Sequence, residues 1–370
     1  MIHYLKISVR WHNLKYMPLF LLIIYPLSVF NVSAQSDTTR TPDQKQESEK
    51  NEISLFGSDE ILNVSLYFDL AAFLKKTSKT ESFDAEMIIR PGEKDSLNKT
   101  IKIKYRGILR GDLCSFPPIE INFKKPLYTD SARIKKLKLV THCEPGSMTD
   151  EYVIREYLVY KLFNALTDTS LRVRLLRVNY IDSKKNKKTI VKYGIFIEPT
   201  EMLAKRTHSM IVKVTTLNQN HIIPEIMDRL AIFNYMVANW DWSVPGQHNV
   251  KIIKPLSYDP NSLGIAVPYD FDLTGVVNAE YAVPPANVPI ENVRQRIYTG
   301  LCRTKEVYLK DLREFINRKA NIYAAVNDCP GLNQRSKKDI TNYLDEFFNL
   351  LDKPKNQERL IEDFAKTCKY

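Results

Sequence analysis

The sequence has few of the residues that build the commonest cofactor loops and metal sites. It holds 11 glycines and 6 histidines in 370 residues, and no Gly-x-Gly-x-x-Gly run occurs anywhere. A glycine-rich loop that wraps phosphate groups is therefore excluded. The five cysteines include no Cys-x-x-Cys pair and lie in no Cys/His cluster, so nothing in their spacing indicates a zinc site.

Beyond the N-terminus, the sequence also lacks an apolar run long enough to cross a bilayer. Residues 1–34 combine a basic lead, an apolar core at Met17–Phe30 and small residues at Val32–Ala34, which together predict a secretory signal peptide. An uncleaved N-terminal anchor is the alternative. Residues 35–52 are polar, without aromatic or aliphatic side chains, and predict a disordered linker. The expected location is outside the cytoplasm, periplasmic or secreted.

An oxidising compartment favours one or two disulfides among the five cysteines, with an odd thiol left over. We expect Cys114–Cys143 to join two early strands and Cys302–Cys329 to join the C-terminal helices.

The formal net charge is +11 at pH 7. A basic exported protein can meet nucleic acid, an anionic envelope polymer or a phosphorylated ligand. The bases are scattered through predicted strands and loops, and no helix gathers them on one face. We therefore expect no nucleic-acid partner.

The hydrophobic pattern changes from strand-like to helix-like along the chain. Residues 53–200 mainly alternate apolar and polar side chains, with one long helical pattern at Thr149–Leu166. Strands are predicted at Leu62–Phe68, Ile101–Tyr105, Ile119–Phe123, Leu137–Val140, Leu171–Ile181 and Lys188–Ile197. Later helices are predicted at Glu306–Asn327, Lys337–Leu351 and Gln357–Cys368. The pattern predicts an α+β fold with a sheet-rich, antiparallel N-lobe over 53–200 and a mainly helical C-lobe over 201–370.

The stretch from Ile226 to Val277 concentrates the polar residues that can carry chemistry. A helical pattern ends at Asn239-Trp240-Asp241, and a short loop leads to Asn249. Two strands follow, at Val250–Lys254 and Gly264–Tyr269, and the second delivers Asp270-Phe271-Asp272. A helix, an acidic loop, an asparagine, a hairpin and a carboxylate pair follow one another in the order of a phosphoryl-transfer site.

Each of these side chains has a chemical role available. Asp241 can orient or accept the proton of an attacking hydroxyl. Asn249 and Asp270, at the ends of adjacent strands, can hold Mg²⁺ from two sides, and Asp272 shares a face with Asp270. The alternative is structural, since Asp241 and Asn249 can also hold a loop together through hydrogen bonds. His248 is expected to hydrogen-bond rather than to act as a general base.

Paired carboxylates also occur in glycoside hydrolases, but that activity needs a set separation between the two carboxyl groups. The sequence fixes no such separation, so hydrolysis is the weaker hypothesis. Trp240 and Trp242 are expected to be wall and core residues rather than a stacking platform.

The motif residues resemble a known family. Asn239-Trp240-Asp241, Asn249 and Pro268–Asp272 look like the signature of the spore coat protein H family of atypical kinase-like proteins, and of uncharacterised exported proteins from Bacteroidetes-type bacteria. The resemblance implies a two-lobed, protein-kinase-like fold and Mg-ATP-dependent transfer to Ser or Thr hydroxyls. It makes Asp241 the catalytic aspartate and makes Asn249 and Asp270, with Asp272 beside them, the metal ligands.

The resemblance also implies nucleotide-binding residues in the N-lobe. Lys138 fits the phosphate-pairing lysine, with Glu156, or alternatively Glu151, as its partner. The turn at Arg106 is a candidate cover for phosphates, the alternative being an ordinary hairpin with exposed bases. Glu198 ends a strand where the two lobes would hinge. The implied cofactors are ATP with Mg²⁺ or Mn²⁺, and the implied partner is an envelope or secreted protein substrate.

Three features depart from the family pattern. The interval from Asp241 to Asn249 is longer than in ordinary kinases, and Asp272 stands where the metal-binding motif usually has glycine. An exported protein also meets little ATP. The scarcity of ATP favours a pseudokinase or another phosphoanhydride donor. The alternative function is a non-catalytic secreted binding or scaffold protein on the same fold.

Overall fold

The structure, a computed structural model, describes residues 53–369 except 76–79, 93–94, 108, 145, 147, 186–188, 214–216, 257–258 and 260–261. The predicted signal peptide at 1–34 and the predicted linker at 35–52 lie outside the described residues. None of the helices in the described part of the chain is both long and apolar enough to cross a membrane. The fold is mixed, with most strands before Ile197 and three long helices from Lys305 onward.

A closed barrel forms the first half of the described chain. Its strands are β1 (Leu62–Phe68), β2 (Phe83–Arg90), β3 (Leu97–Tyr105), β4 (Ile119–Thr129), β5 (Ala132–Val140), β6 (Val173–Asp182) and β7 (Thr189–Ile197). They are hydrogen-bonded in the order β1-β2-β3-β4-β5-β7-β6, and β6 returns to β1. The remaining neighbours are antiparallel, but β1 and β6 run parallel. The prediction of an antiparallel sheet is therefore wrong for this pair, because β6 enters from a helix and so runs in the direction of β1.

The barrel is held by the alternation of side chains along its strands. On β1, Leu62, Val64, Leu66 and Phe68 are buried, and on β3 the buried Ile101 is followed by the exposed Lys102. This two-residue period places apolar side chains inside the barrel and lysines in water. Removal of this apolar surface from water is the main stabilising term of the barrel.

Three helices accompany the barrel: α1 (Leu70–Phe73), α2 (Leu109–Leu113) and α3 (Met148–Asn164). The prediction of a helix at Thr149–Leu166 is confirmed, with ends shifted by one or two residues. Tyr157, Leu158 and Leu162 of α3 are at most 1% exposed and pack in one core with the later helices. This two-sided burial makes α3 the element that joins the barrel to the rest of the chain.

The second half of the described chain is mainly helical. It contains α4 (Thr200–Arg206), β8 (Ser209–Ile211), a 3-10 turn (Gln219–His221), α5 (Pro224–Met236), β9 (Val250–Pro255), β10 (Ile265–Pro268), α6 (Lys305–Asn327), α7 (Gln334–Leu351) and α8 (Pro354–Thr367). The predicted hairpin is confirmed as β9 and β10. β8 adds a third strand beside β9, which its three residues were too few to predict.

Two disulfides are present. The predicted Cys114–Cys143 bond is confirmed. The predicted Cys302–Cys329 bond is wrong, because Cys302 is bonded to Cys368 and Cys329 is a buried thiol. Backbone hydrogen bonds explain why Cys302 pairs with Cys368. The Lys369 N–H donates to the Gly300 carbonyl at 2.8 Å, and the Lys369 carbonyl accepts from the Cys302 N–H at 2.9 Å. These bonds bring the end of α8 to the segment before α6.

Candidate active site

The β9–β10 hairpin brings Asn249 and Asp270 to one end. Val250 pairs with Pro268, and the Tyr269 N–H donates to the Asn249 carbonyl at 2.9 Å. Asn249 and Asp270 both have positive φ angles, 52° and 65°. Asn and Asp enter this left-handed region more easily than other non-glycine residues, at some cost in backbone energy. Two such residues at adjacent strand ends mark a functional-site candidate.

The loop after α5 places Asp241 beside this hairpin end. The Asp241 N–H donates to Asn239 Oδ1 at 3.1 Å, and the buried Asn239 in turn donates to Asn234 Oδ1 on α5 at 3.0 Å. Asn249 Nδ2 donates to the Asp241 carbonyl at 2.8 Å and to Asp241 Oδ2 at 2.9 Å. His248 Nε2 lies 2.7 Å from Asp241 Oδ1, in the hydrogen-bonding role predicted for it.

The Asp270-Phe271-Asp272 segment is fixed by its central ring. Phe271 is fully buried, and its ring centroid lies 4.7 Å from that of Tyr160 on α3. The Asp270 N–H donates to the Tyr160 hydroxyl at 2.8 Å. The anchored phenylalanine therefore sets the positions of the aspartates on either side of it, and α3 is the element that holds them.

Asp272 is buried among other charges. Burial is the largest cause that raises the pKa of Asp272, and the negative charges of Asp270 and Asp241 raise it further. The charge of Arg110 and a hydrogen bond from Tyr281 oppose the rise. The charges of Asp270 and Asp241 thus act on the same carboxyl. We call Asp241, Asn249, Asp270 and Asp272 the acidic cluster, because Asp241 and Asn249 are hydrogen-bonded to each other and Asp270 follows the strand that pairs beside Asn249. Its role as a metal site stays a prediction.

Arg110 is the second arginine of the turn that begins at Arg106 and was predicted as a candidate cover for phosphates; it lies on α2, in a buried position that the sequence did not predict. Its side chain is 8% exposed, so the exposed-hairpin alternative for this turn is wrong at this residue. Its Nη1 lies 3.3 Å from Glu156 Oε2, its Nε lies 4.0 Å from Asp272 Oδ2, and its Nη2 donates to the Thr141 carbonyl. Burial raises the pKa of Glu156, and Arg110 opposes that rise.

The partners predicted for Lys138 are used elsewhere. Glu156 pairs with Arg110, because α2 carries Arg110 to the buried face of α3. Glu151 pairs with Arg155 at 2.7 Å. No ion pair between Lys138 and either glutamate is present in the described structure, so the predicted lysine–glutamate pair is wrong.

Lys138 instead belongs to a group of cations. Burial, and after it the charges of Arg106 and Lys251, lower the pKa of Lys138 to about 8. The ammonium groups of Lys138 and Lys251 lie 5.2 Å and 4.6 Å from the centre of the Tyr269 ring. We call Arg106, Lys138 and Lys251 the basic cluster. It borders the acidic cluster, because the charge of Asp270 acts on Lys138.

Arg106 follows β3 and is half-buried; its N–H donates to the Pro118 carbonyl at 3.0 Å. Gly107 continues the turn with a φ of 80°, a conformation that favours glycine. Glu198 has a different environment. It is 3% exposed, pairs with Arg206 at 2.8 Å and accepts the Arg172 N–H at 2.9 Å. The Glu198 carboxylate thus holds the start of β6 to α4, and its predicted contact with a nucleotide stays a prediction.

Tyr160 and Lys251 are site residues that the sequence analysis missed. Tyr160 lies in an apolar helical pattern, where a tyrosine is taken for core. The available signal is its hydroxyl, because a buried tyrosine needs a hydrogen-bond partner. Lys251 begins an ordinary strand pattern, and only the pairing of β9 with β10 shows that it faces Tyr269. Trp242 is buried in the core with Trp240 packed against it, as predicted.

The oxygen donors of the acidic cluster fit a hard divalent cation. Asn249 uses its Nδ2 group to donate to Asp241, which leaves its amide oxygen as the atom that could serve as a ligand with the carboxylates of Asp270 and Asp272. No group of three His, Cys, Asp or Glu side chains forms a metal site in the described part of the chain. A cation here would therefore need the Asn oxygen together with phosphate and water oxygens, which is how Mg²⁺ is usually held.

Comparisons with known proteins give a distant likeness. No family model matches the chain, and no curated protein matches it. A similar solved structure is the crystal structure of a Helicobacter pylori proinflammatory kinase, CtkA, with 12% sequence identity. The likeness covers 68% of this chain and 90% of that chain, with a TM-score of 0.36. At this identity and score it says nothing about the site residues, and the resemblance to the spore coat protein H family stays a prediction.

Proposed function

We propose that this chain is an exported, kinase-like phosphotransferase that moves a phosphoryl group from Mg-ATP to a Ser or Thr hydroxyl of an envelope or secreted protein. The observation that carries the proposal is the pairing of two opposite charge clusters at one end of the β9–β10 hairpin. The basic cluster suits the phosphates of a donor, and the acidic cluster suits a divalent cation and an incoming hydroxyl. Neither cluster alone would support this function.

The chain's own residues have separate tasks in this proposal. Asn249, Asp270 and Asp272 would hold Mg²⁺ or Mn²⁺, which when bound neutralises charge on the phosphates. Lys138 binds phosphate oxygens. Asp241 accepts a hydrogen bond from the acceptor hydroxyl and takes its proton as the hydroxyl attacks.

A second candidate is a non-catalytic binding or scaffold protein on the same fold. The observation in its favour is the state of Asp241, whose two carboxylate oxygens are already bonded to Asn249 and His248. In this candidate Asp241 stabilises the loop, and nucleotide binding, if retained, serves recognition.

The test compares the full chain with three variants in Mg²⁺ or Mn²⁺ and labelled ATP. Thermal unfolding with and without nucleotide reports binding, and label on protein reports transfer. Asp270→Ala should lose the metal-dependent nucleotide stabilisation. Asp241→Asn should keep it but lose transfer by about 10²–10⁴-fold. Asp352→Ala, which removes an exposed acid in the helical region, is the matched control and should resemble wild type.

The outcomes separate the candidates. Nucleotide stabilisation without label in wild type would support the binding protein. Absence of both stabilisation and label in wild type would remove the phosphotransferase and leave a binding or scaffold protein that uses no nucleotide.

A further inference from the structure

The basic cluster carries positive charge that the protein does not neutralise. Arg106, Lys138 and Lys251 form no ion pair within 4.0 Å with a carboxylate of the described residues. Nearby lysines on the same barrel differ, since Lys104 and Lys136 lie 3.2 Å and 3.4 Å from Glu120. The charges of Arg106 and Lys251 act on Lys138, and both lysines border the Tyr269 ring, so we call the surface between these residues the cleft. Three cations without an ion-pair partner there suit a polyanion.

The register of the barrel shows why this charge is left over. Glu120 on β4 stands directly opposite Lys138 on β5. Its carboxylate is nevertheless engaged by Lys104 and Lys136, at 3.2 Å and 3.4 Å, and forms no ion pair within 4.0 Å with Lys138. Lys138 therefore turns toward Tyr269 and Lys251 without an anionic partner of its own.

Lys251 extends the cluster beyond a single phosphate-binding lysine. Because its ammonium group and that of Lys138 border the same Tyr269 ring, the two charges line one short stretch of the cleft. A ligand that satisfies both, together with Arg106, needs several anionic oxygens in a row. A phosphoanhydride chain has this property, and each charge-assisted contact is stronger than a neutral one.

We infer that the donor is recognised through its phosphoanhydride chain rather than through a nucleoside, so that inorganic tripolyphosphate serves as a donor at this site. This inference rests on the proposed function and specifies its donor class.

The transfer step balances without a further reactant. The acceptor oxygen attacks the terminal phosphorus of tripolyphosphate, and a new oxygen–phosphorus bond forms. The bridging oxygen–phosphorus bond breaks, and its electron pair leaves with pyrophosphate. The hydroxyl proton goes to Asp241.

The alternative is that the donor is recognised through its nucleoside, and the structure has a depression in which a nucleoside could lie. A depression of about 430 Å³ adjoins Lys251, with Val212, Gln247 and Ile252 among its lining residues. A nucleoside attached to the phosphates would lie there. If contacts in this depression dominated binding, adenosine would compete with ATP and tripolyphosphate would not.

The experiment uses the full chain in Mg²⁺ and measures two effects of each probe: the thermal stabilisation of the protein, and the displacement of labelled ATP from the protein. The probes are ATP, tripolyphosphate and adenosine. We expect ATP and tripolyphosphate to stabilise the protein and to displace the label at similar concentrations, and adenosine to do neither. Phosphorylation of protein hydroxyls with tripolyphosphate as the only donor, detected by mass spectrometry, is the accompanying readout.

Matched lysine variants test whether the cleft itself binds the probe. Lys251→Met should weaken tripolyphosphate binding about tenfold, the loss of one charge-assisted contact. Lys254→Met removes the same charge from the same strand, three residues on and therefore on its other face, and should leave binding unchanged. Equal weakening in both variants would show attraction to overall charge and overturn the inference.

The remaining outcomes distinguish this inference from the proposed function. Stabilisation by ATP, with competition by adenosine and none by tripolyphosphate, overturns the inference and leaves the phosphotransferase proposal standing. No stabilisation and no label with either donor overturns both.

Discussion

Two arginines of this chain each act on two buried carboxylates, but with different geometry. We call Arg110, Glu156 and Asp272 the Arg110 cluster, and Arg303, Asp228 and Asp311 the Arg303 cluster. In the Arg303 cluster, Nε of the arginine lies 2.9 Å and 3.0 Å from the two oxygens of Asp228. In the Arg110 cluster, the arginine lies 3.3 Å from one carboxylate and 4.0 Å from the other, and its Nε has no hydrogen-bond partner.

The difference separates a packing role from a site role. Arg303, in the segment before α6, forms a close ion pair with Asp228 of α5. This ion pair joins the two elements. Arg110 is shared between a helix of the barrel region and the Asp270–Asp272 segment, and Glu156 Oε1 is left buried without a partner. The Arg303 cluster also holds a buried oxygen without a partner, Asp311 Oδ2, so the distinguishing feature is that Arg110 contacts the Asp270–Asp272 segment. Perturbed buried charges at a candidate site are typical of functional sites. We therefore expect the Arg110 cluster to matter for ligand binding and the Arg303 cluster for stability alone.

The largest effect is expected from Arg110→Met. It leaves Glu156 and Asp272 buried without their cation, so the free energy of unfolding in urea should fall by about 3–5 kcal/mol. The thermal shift with Mg²⁺ and nucleotide should also disappear, because Asp272 loses its only described arginine neighbour.

Arg303→Met is the matched control. It should lower the free energy of unfolding by about 1.5–3 kcal/mol, the loss of a charged hydrogen bond. It should leave the ligand-induced thermal shift as in wild type. A normal ligand shift in Arg110→Met, or a lost one in Arg303→Met, would contradict the comparison.

Each arginine also has a disulfide near it in sequence. Replacing Cys114 and Cys143 by serine opens a bond that spans 29 residues and should cost about 2–4 kcal/mol of stability. Ligand affinity should fall as well, because α2 then no longer holds Arg110. Replacing Cys302 and Cys368 should lower stability without changing affinity. Urea unfolding and nucleotide titration of the two double variants check this, and equal affinities would refute it.

A smaller effect is expected from Asp311→Asn. Burial raises the pKa of Asp311 to about 6, so the folded state keeps its proton to higher pH than the unfolded state. Wild-type stability should therefore fall as pH rises from about 4 to about 7. An asparagine at this position does not titrate, so the variant should not lose stability over this pH range. At about pH 7 its free energy of unfolding should exceed that of wild type by about 1 kcal/mol. Urea unfolding across this range measures it; parallel pH profiles would count against it.

The smallest effect on stability is expected from Tyr160→Phe. The variant loses the hydroxyl that accepts the Asp270 N–H, at about 0.5–1.5 kcal/mol. The Mg²⁺ concentration that half-saturates the nucleotide shift should rise, since Asp270 is held less firmly. Tyr323→Phe, whose hydroxyl bonds Asp345 in the helical region, is the control and should leave that concentration unchanged.

The local parts of the site could be predicted from sequence, and the long-range parts could not. Asp241, Asn249 and Asp270 lie within one helix–loop–hairpin, so their order along the chain fixes their neighbourhood. Arg110 and Glu156 are 46 positions apart, and their contact depends on how α2 crosses the barrel end. The hydrophobic periodicity of the sequence does not predict this contact. It also could not predict whether Cys302 is bonded to Cys329 or to Cys368.

The parallel pairing of β1 with β6 has a consequence for how the chain folds. Leu62 meets Leu176 in this ladder, so the two strands are joined only after all the intervening chain has been gathered. Pairings of such high contact order have a large entropy cost of loop closure, and this cost arises before the stabilising contacts between the strands form. We expect barrel closure to be the slow step of folding, with the β9–β10 hairpin, a local structure, formed well before it.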